Sequence, residues 1–252
     1  MKAGPEAGPA SMLLRLFGLL AAIAAVGIVI ADKETSVYAR MAQRIWQGQP
    51  YRPELVAELL EQSQDSGLPW PCATGITASR AAIAVRVAED AMAGRNEVPQ
   101  KHAMETASAA LDAGLACQPL AGHLWLARFW ISAMAGGFSE EKLAAFDRSV
   151  ETGPHEGWLM RLRAIVGARY YRQLSERERR WFFDDFRAMA MMGYAEDTVL
   201  VVQRLRDEAQ RLKAEIEVLP KGARPRIANW LLAEGIDLKI VTGVQPRPWQ
   251  HN

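Results

Sequence analysis

The chain has 252 residues, half of them hydrophobic, which is enough to bury the core of one ordinary domain and to leave a membrane anchor besides. Thirty basic and 29 acidic side chains give a formal net charge of +1. Because this charge supplies no global positive field, we expect no nucleic-acid partner. Two cysteines are too few to build a disulfide-rich scaffold.

The N-terminal region contains the only long apolar run. Residues 1–11 are rich in Ala, Gly and Pro and are expected to form a disordered head. Residues 12–31 are apolar except for Arg15. Twenty helical residues at about 1.5 Å each reach about 30 Å, the thickness of a hydrocarbon core. The sequence therefore predicts a transmembrane anchor at 12–31, with Arg15 reaching toward the head groups.

Two alternatives remain for this segment. It resembles a cleaved signal peptide, with Lys2 and Arg15 as the basic part and residues 29–31 as the small-residue cleavage site. It could also be a core helix. Both the anchor and the signal peptide would export the rest of the chain. For an anchor in the inner (cytoplasmic) membrane, we expect the remainder on the periplasmic or extracytoplasmic side, although basic residues flank both ends.

Residues 35–235 are predicted to form one all-α domain of successive helices. Gly48, Gly94 and Gly193 follow stretches with helical apolar periodicity and are expected to end helices. Ser175 and Glu178 have the spacing of a capping box, which predicts the start of another helix. The Pro/Gly-rich stretch at residues 65–76 predicts a loop.

A long helix is predicted from about Glu196 to Leu219, ended by Pro220. Its apolar positions are spaced mostly by alternating threes and fours, as in a short coiled coil. Because the seam covers few heptads, packing back on the domain is the favoured interpretation. Residues 236–252 contain Pro246 and Pro248 and are expected to form an extended tail.

The middle of the chain repeats a pattern in which a helix ends, a proline follows, and an aromatic-led helix begins. The corresponding residues are Leu111 and Phe146, Pro119 and Pro154, and Trp125 and Trp158. The first two pairs are 35 positions apart and the third is 33 apart. A period near 34 residues with two helices per unit predicts a tetratricopeptide-like (TPR-like) array of antiparallel helix hairpins. The alternative is an irregular helical bundle with a chance similarity.

This region also resembles a known group of proteins. The matching elements lie between Cys72 and about Arg163 and are Ala88-Glu89-Asp90-Ala91, Ala110-Leu111…Pro119…Leu124-Trp125-Leu126-Ala127, and Ser149…Thr152-Gly153-Pro154-His155-Glu156 followed by Leu159 and Arg161. They are similar to the TPR-like, single-span membrane accessory proteins of bacterial exopolysaccharide biosynthesis. The resemblance covers about a third of the chain. It implies a part in making or exporting a surface polysaccharide, with proteins of that pathway as partners, and it brings no catalytic residues.

No familiar catalytic or cofactor-binding motif is present. The sequence lacks a P-loop, G-x-G-x-x-G, G-x-S-x-G, H-E-x-x-H and C-x-x-C. No two of the four histidines have helix-facing spacing, so no metal site is expected. We therefore expect no cofactor and no enzymatic activity.

Arginine is concentrated between residues 161 and 187, with aromatic residues among the arginines. Guanidinium groups offer forked donors to anions, and aromatic faces can stack on sugars or peptides. One hypothesis is a groove for an anionic partner, and the other is a solvated outer face balanced by nearby carboxylates. The candidate partner-binding residues are Arg161, Arg163, Arg169, Tyr170, Arg172 and Trp181.

Asp184 and Asp185 are an adjacent pair of carboxylates in the same stretch. Neighbouring residues on a helix diverge by about 100°, so the two would not face one substrate together. We expect one to be solvated and the other to pair with a nearby arginine.

Cys72 and Cys117 are a candidate disulfide if the chain is exported, because exported compartments are oxidising. The bond would close a loop of about 44 residues and stabilise the fold by about 3–4 kcal/mol in the chain-entropy model. Otherwise both cysteines are small buried apolar residues.

These observations predict a membrane-anchored, non-enzymatic scaffold that holds proteins of an envelope polysaccharide pathway. The alternative is a module that binds an anionic glycan or a lipid-linked carrier through the arginine- and aromatic-rich face. The sequence leaves the oligomeric state open.

Overall fold

A computed structural model describes residues 17–19, 22, 37–46, 48–65, 72 and 74–239. Over these ranges the protein is all-α, as predicted, and contains no strand. Residues 37–46 form helical segment α1. The later helices are α2 (Pro53–Asp65), α3 (Thr74–Met92), α4 (Gln100–Cys117), α5 (Gly122–Gly136), α6 (Glu140–Thr152), α7 (Gly157–Tyr170), α8 (Glu176–Met192), α9 (Ala195–Arg204), α10 (Ala209–Glu217) and α11 (Ala223–Ala233), with 3-10 turns at Tyr171–Gln173 and Arg206–Glu208.

Both ends of the chain fall largely outside this description. The predicted head at 1–11 lies outside it, and so does the predicted anchor at 12–31 except for residues 17–19 and 22, which are helical. No helix in the described ranges combines the length and the apolar character needed to cross a bilayer. Of the predicted tail, only residues 236–239 are described.

The residues predicted as one domain form two compact units, which meet in sequence between Cys117 and Gln118. In the first unit α2 packs against α3, and α3 packs against α4. Four alanines of α3, at positions 81, 82, 84 and 88, are fully buried. Small side chains at these positions leave room for close helix approach.

Asp90 holds the end of α3 in place. This carboxylate is fully buried and accepts hydrogen bonds from Tyr51 Oη at 3.2 Å and Arg95 Nε at 2.7 Å. Arg86 Nη2 lies 3.2 Å from it. A buried charge is tolerated only when it is paired, and these groups pair with Asp90. One of them, Arg95, directly follows Gly94, so its pairing also holds the turn in which Gly94 adopts a φ of +67°. Gly94 lies just after the end of α3, as predicted.

In the second unit, neighbouring helices in the sequence pack as pairs, and alternate helices form a row. α5 packs against α6, and α7 packs against α8. Every second helix also contacts the next in the order α5, α7, α9, α11, while α8 contacts α9 and α10. Each pair therefore covers an apolar face that a single pair would leave open to water.

Large aromatic side chains fill the core of this second unit. Phe129, Phe146, Phe182 and Phe186 are completely buried. Phe129 meets Phe146 edge-on with ring centroids 5.5 Å apart. Such edge-to-face contacts contribute beyond the burial of area. α8 supplies Phe182 and Phe186. Both of its ends lie where they were predicted, with a capping box at Ser175 and a left-handed Gly193 of φ +93°.

The same junction occurs twice, at the starts of α5 and α7. α4 and α6 end at residues 117 and 152, and α5 and α7 begin at 122 and 157, so both boundaries are 35 positions apart. The residues before α5 and α7, Ala121 and Glu156, have nearly the same backbone angles: φ −80° and ψ 92° at Ala121, φ −79° and ψ 101° at Glu156. The sequence offset therefore corresponds to a repeated local structure.

One long helix was predicted from Glu196 to Leu219, and this prediction was wrong. The chain leaves the helical conformation at Leu205, with φ −104° and ψ 32°, which separates α9 from α10. The break lets α9 pack against α7 and α10 against α8, which one straight helix could not do. Leu212 and Ile216 are fully buried in the unit's own core, so this segment packs back on the unit, as favoured over a coiled coil.

Candidate functional site

The structure distributes the predicted partner-binding residues over several environments. Arg161, on α7, is about a quarter exposed and pairs with Asp197 of α9. Its guanidinium also lies over the ring of Tyr194, 4.9 Å from the centroid. Because both contacts join neighbouring helices, Arg161 stabilises the packing of α7 on α9 and its charge is already balanced.

Arg163 is the clearest correction to the predicted site. Its side chain is 1% exposed and forms a forked pair with Asp185 of α8, with distances of 2.7 Å from Nε and 3.0 Å from Nη2. Nη1 donates to the carbonyl oxygens of Ser149 and Gly153 at 3.0 and 2.8 Å. All its hydrogen bonding is internal, so Arg163 cannot receive an outside partner.

The adjacent carboxylates occupy opposite environments, as the divergence on a helix predicted. Asp185 is buried against Arg163, whereas Asp184 is 56% exposed and pairs with Arg187. Burial raises the pKa of Asp185 to about 6, although Arg163 opposes this shift. The Asp185 carboxylate remains mostly ionised at neutral pH and serves as the counter-charge of Arg163.

Tyr170 is also unsuited to the predicted role. It is 9% exposed, and its ring packs edge-on against Phe129 with centroids 5.5 Å apart. Phe138 stacks on it at 5.9 Å. Burial raises the pKa of the Tyr170 hydroxyl. Its ring faces are therefore occupied by core residues.

Arg172 and Trp181 lie on the surface but already have neighbours. Arg172 pairs with Asp207, and both side chains are about three-quarters exposed. A solvated pair of this kind contributes little to stability. The guanidinium of Arg177 lies 5.0 Å from the centroid of the Trp181 ring. These contacts favour the solvated, charge-balanced face over a shared groove.

Arg169 differs from the other three arginines among the predicted residues. It lies in the last turn of α7, is exposed, and has its guanidinium 5.1 Å from the centroid of the Trp130 ring of α5. No carboxylate of the described residues lies within ion-pair distance of it. Of the six predicted residues, Arg169 therefore keeps a charge that can meet a partner.

Arg169 belongs to a line of residues along α7 that sequence reasoning missed. We define the α7 stripe as Trp158, Leu162, Ile165 and Arg169. Their spacings of four, three and four residues place them on one side of the helix. Trp158 and Arg169 are exposed, and Leu162 and Ile165 are partly exposed. The i, i+4, i+7, i+11 pattern was the signal that could have revealed this stripe.

Residues of the neighbouring helices flank the two ends of the α7 stripe. At one end His123 of α5 contacts the Trp158 ring, with centroids 5.5 Å apart. Burial lowers the pKa of His123, while the charge of Glu156 opposes the shift. At the other end Arg204 Nη1 of α9 donates to the Ile165 carbonyl oxygen at 3.2 Å. The stripe thus has a neutral aromatic end and a positively charged end.

In the first unit, the structure joins Cys72 to Cys117 by a disulfide, with Cα atoms 5.2 Å apart. The bond connects the segment before α3 to the last residue of α4. It therefore closes the long loop considered from the sequence.

The first unit also contains an open cleft of about 670 Å³ between α2 and the α3–α4 connection. Its lining is acidic and includes Glu54, Glu58, Glu61 and Glu97, with Arg95 and His102 beside them. Over the described part of the chain, no group of His, Cys, Asp or Glu side chains has a metal-binding arrangement.

Comparisons with protein-family models, with curated proteins and with solved structures find no match to this chain.

Proposed function

We propose that this protein is a membrane-anchored, non-enzymatic scaffold that holds partner proteins of surface polysaccharide biosynthesis or export. Its anchor would be residues 12–31, and its partner-binding part the TPR-like helical array of the second unit. In this proposal the chain performs no reaction and needs no cofactor, and its helices position other proteins at the inner membrane.

The observation that carries the proposal is the repeated junction before α5 and α7, combined with the serial packing of α5, α7, α9 and α11. TPR-like arrays stack helix pairs in this way and use one helix of each pair to line a binding surface. Gly167 and Tyr170 also have the Gly-x-x-Tyr spacing of a TPR unit. The α7 stripe, in which Trp158 and Arg169 are exposed, is then the part of that surface that receives a partner segment.

A photo-crosslinking experiment tests the binding surface. A photoreactive residue replaces Ile165 in the full chain, which is expressed in its native host, and crosslinked proteins are identified by mass spectrometry. The control replaces Ala144, an exposed residue of α6. We expect Ile165, but not Ala144, to crosslink an envelope glycosyltransferase or exporter. Equal crosslinking at both positions would contradict the proposed surface.

The anchor is supported by the apolar composition of residues 12–31 and by Phe17 and Leu19, which are helical and expose 73% and 60% of their surfaces. Exposing large apolar side chains on a helix surface is unfavourable in water and favourable in lipid. Membrane fractionation tests this part. We expect the full chain to resist alkaline extraction and a variant without residues 12–31 to be released. An intact mass lacking residues 1–31 would instead identify a signal peptide.

The pathway is supported by the resemblance of the stretch from Cys72 to about Arg163 to accessory proteins of bacterial exopolysaccharide biosynthesis. Deleting the gene in its host is expected to reduce surface polysaccharide, and the full chain should restore it. A variant lacking residues 12–31 should restore it poorly. Unchanged polysaccharide after deletion would remove the pathway from the proposal and leave a tethered adaptor of another system.

A further inference from the structure

Two arginines of neighbouring helices come together at the C-terminal end of the α7 stripe. Arg169 lies in the last turn of α7, and Arg204 is the last residue of α9. The Arg204 guanidinium donates to the carbonyl of Ile165, one turn before Arg169. Both side chains belong to exposed residues.

Within the described part of the chain, neither guanidinium has a carboxylate partner. Three nearby arginines differ: Arg161, Arg172 and Arg177 each pair with an aspartate of another segment. Burial lowers the pKa of Arg204, and repulsion from Arg169 lowers it further. Two like charges are thus held together at a point where each would be stabilised by an anion.

Some of this arrangement has an internal explanation, because cations are favourable at a helix C-terminus. That effect favours Arg169 at the end of α7 and Arg204 at the end of α9, each taken separately. It does not offset the repulsion between the two guanidiniums, which lie close enough for the charge of Arg169 to lower the pKa of Arg204. Arginine offers planar, forked donors that match a carboxylate.

We infer that Arg169 and Arg204 together bind a carboxylate of an acidic peptide segment in a partner protein, with apolar side chains of that segment lying along Leu162 and Ile165. This inference rests on the proposed scaffold function and names the chemistry of the partner. The 11 positions from Trp158 to Arg169 rise about 16 Å along the helix. That length accommodates roughly five residues of extended peptide.

The contacts favour a peptide over an acidic glycan. Arg169 covers one face of Trp130, so that face is not open to stack on a sugar. Leu162 and Ile165, which continue from the charged end, are aliphatic. An aliphatic strip followed by two guanidiniums matches a peptide in which apolar residues precede an acidic one.

Fluorescence anisotropy with two labelled probes tests the inference. Both probes have an amidated C-terminus, so the neutral one carries no carboxylate. The acidic probe is the peptide Leu-Leu-Ser-Glu-Glu, and the neutral probe is Leu-Leu-Ser-Gln-Gln. The full chain is used in detergent at low ionic strength. We expect saturable binding of the acidic probe, weaker binding of the neutral one, and about tenfold loss of affinity in Arg169→Ala and in Arg204→Ala. Unlabelled uronic-acid oligomers are expected to compete poorly.

The matched control is Arg180→Ala, which removes the same charge from an exposed position on α8. It should bind the acidic probe within twofold of the parent. Absence of saturable binding, equal binding of the two probes, or an equal loss in Arg180→Ala would overturn the inference. Strong competition by uronic-acid oligomers that depends on Arg169 would reassign the site to a glycan and also overturn it.

This experiment can fail without removing the scaffold function. If the acidic probe does not bind but the Ile165 crosslink still captures an envelope protein, the proposed function stands and the carboxylate chemistry is wrong. If the probe binds at Arg169 and Arg204 but no envelope protein is captured, the anion site stands and the pathway is wrong.

Discussion

At the residue scale, the buried pair of Arg163 and Asp185 joins three helices, because Arg163 also donates to carbonyls at the end of α6. Replacing Arg163 with methionine would leave Asp185 in the core without a counter-charge. We expect a loss of about 3–5 kcal/mol in the free energy of unfolding, the usual cost of breaking a buried pair from one side. Urea denaturation at neutral pH measures it.

The same variant should have a distinct pH dependence. Burial raises the pKa of Asp185 to about 6 even with Arg163 present, and without Arg163 the opposing attraction is lost. A carboxyl group whose pKa is raised by folding binds its proton more tightly in the folded state than in the unfolded state. The free energy of unfolding of the protein therefore falls as the pH rises. The gap between parent and Arg163→Met should therefore be larger at pH 8 than at pH 5. The double variant Arg163→Met/Asp185→Leu should recover most of the loss, and a stable single variant would contradict the argument.

Glu178 gives a prediction with the opposite sign. The Glu178 carboxylate accepts from the Ser175 backbone N–H at 2.8 Å in the capping box of α8. Burial raises its pKa, but the bonds from Ser175 and Arg177 outweigh burial, and the net pKa is lowered from 4.5. Because the pKa of Glu178 is lower in the folded state, its ionised carboxylate stabilises the fold above about pH 4.5. This stabilisation is lost as the pH falls through the folded-state pKa. Glu178→Gln should cost about 1 kcal/mol at pH 7, and the cost should shrink in acid. A difference that stays constant with pH would exclude this role.

Sequence reasoning at this scale succeeded for the capping box and for the Asp184–Asp185 pair, because both depend on local spacing. It failed in grouping Arg161 with Arg163. Residues two apart on a helix point about 200° apart, so the two arginines could not share a surface. The pairing of Arg163 with Asp185 depends on how α7 packs against α8, which spacing within one helix does not contain.

At the element scale, Gly167 sets how closely α7 approaches α8. A Cβ added there would lie 2.8 Å from Cδ2 of Phe182, whose ring is completely buried. Alanine would gain about 1 kcal/mol in helix propensity, but the overpacked ring would cost about 1–3 kcal/mol. We expect Gly167→Ala to lower the melting temperature. Gly136→Ala, where the added Cβ meets only the flexible end of Lys142 at 3.3 Å, should be neutral or stabilising, and the same effect in both variants would refute the explanation.

The helix ends and the break at Leu205 show why elements differ in how well they can be predicted. Glycines at 94 and 193 adopt positive φ, and a residue type that tolerates this conformation marks a helix end in the sequence itself. No such residue marks Leu205. The apolar seam continues through it unchanged. Both α9 and α10 contact α8, but α9 also packs against α7 and α11, and the change in helix direction at Leu205 accompanies this difference in packing. The boundary is fixed by tertiary packing, which local pattern does not encode.

At the scale of the whole molecule, the disulfide belongs entirely to the first unit. Cys72 and Cys117 are 45 positions apart, and a bond across such a loop stabilises by about 3–4 kcal/mol in the chain-entropy model, mainly by restricting the unfolded chain. Reduction is therefore expected to speed hydrogen exchange in α3 and α4. Exchange in α7 and α8 should be unchanged, because neither cysteine lies in their unit.

Hydrogen exchange with mass spectrometry, performed with and without reductant, measures this difference peptide by peptide. The control is Cys72→Ser/Cys117→Ser, which should exchange like the reduced parent and should not respond to reductant. Intact mass of protein from the native host shows whether the bond forms in the cell, and two free thiols there would argue against the exported location. Faster exchange in α7 and α8 upon reduction would show that the bond stabilises both units. It would contradict the prediction that the disulfide stabilises only the first unit.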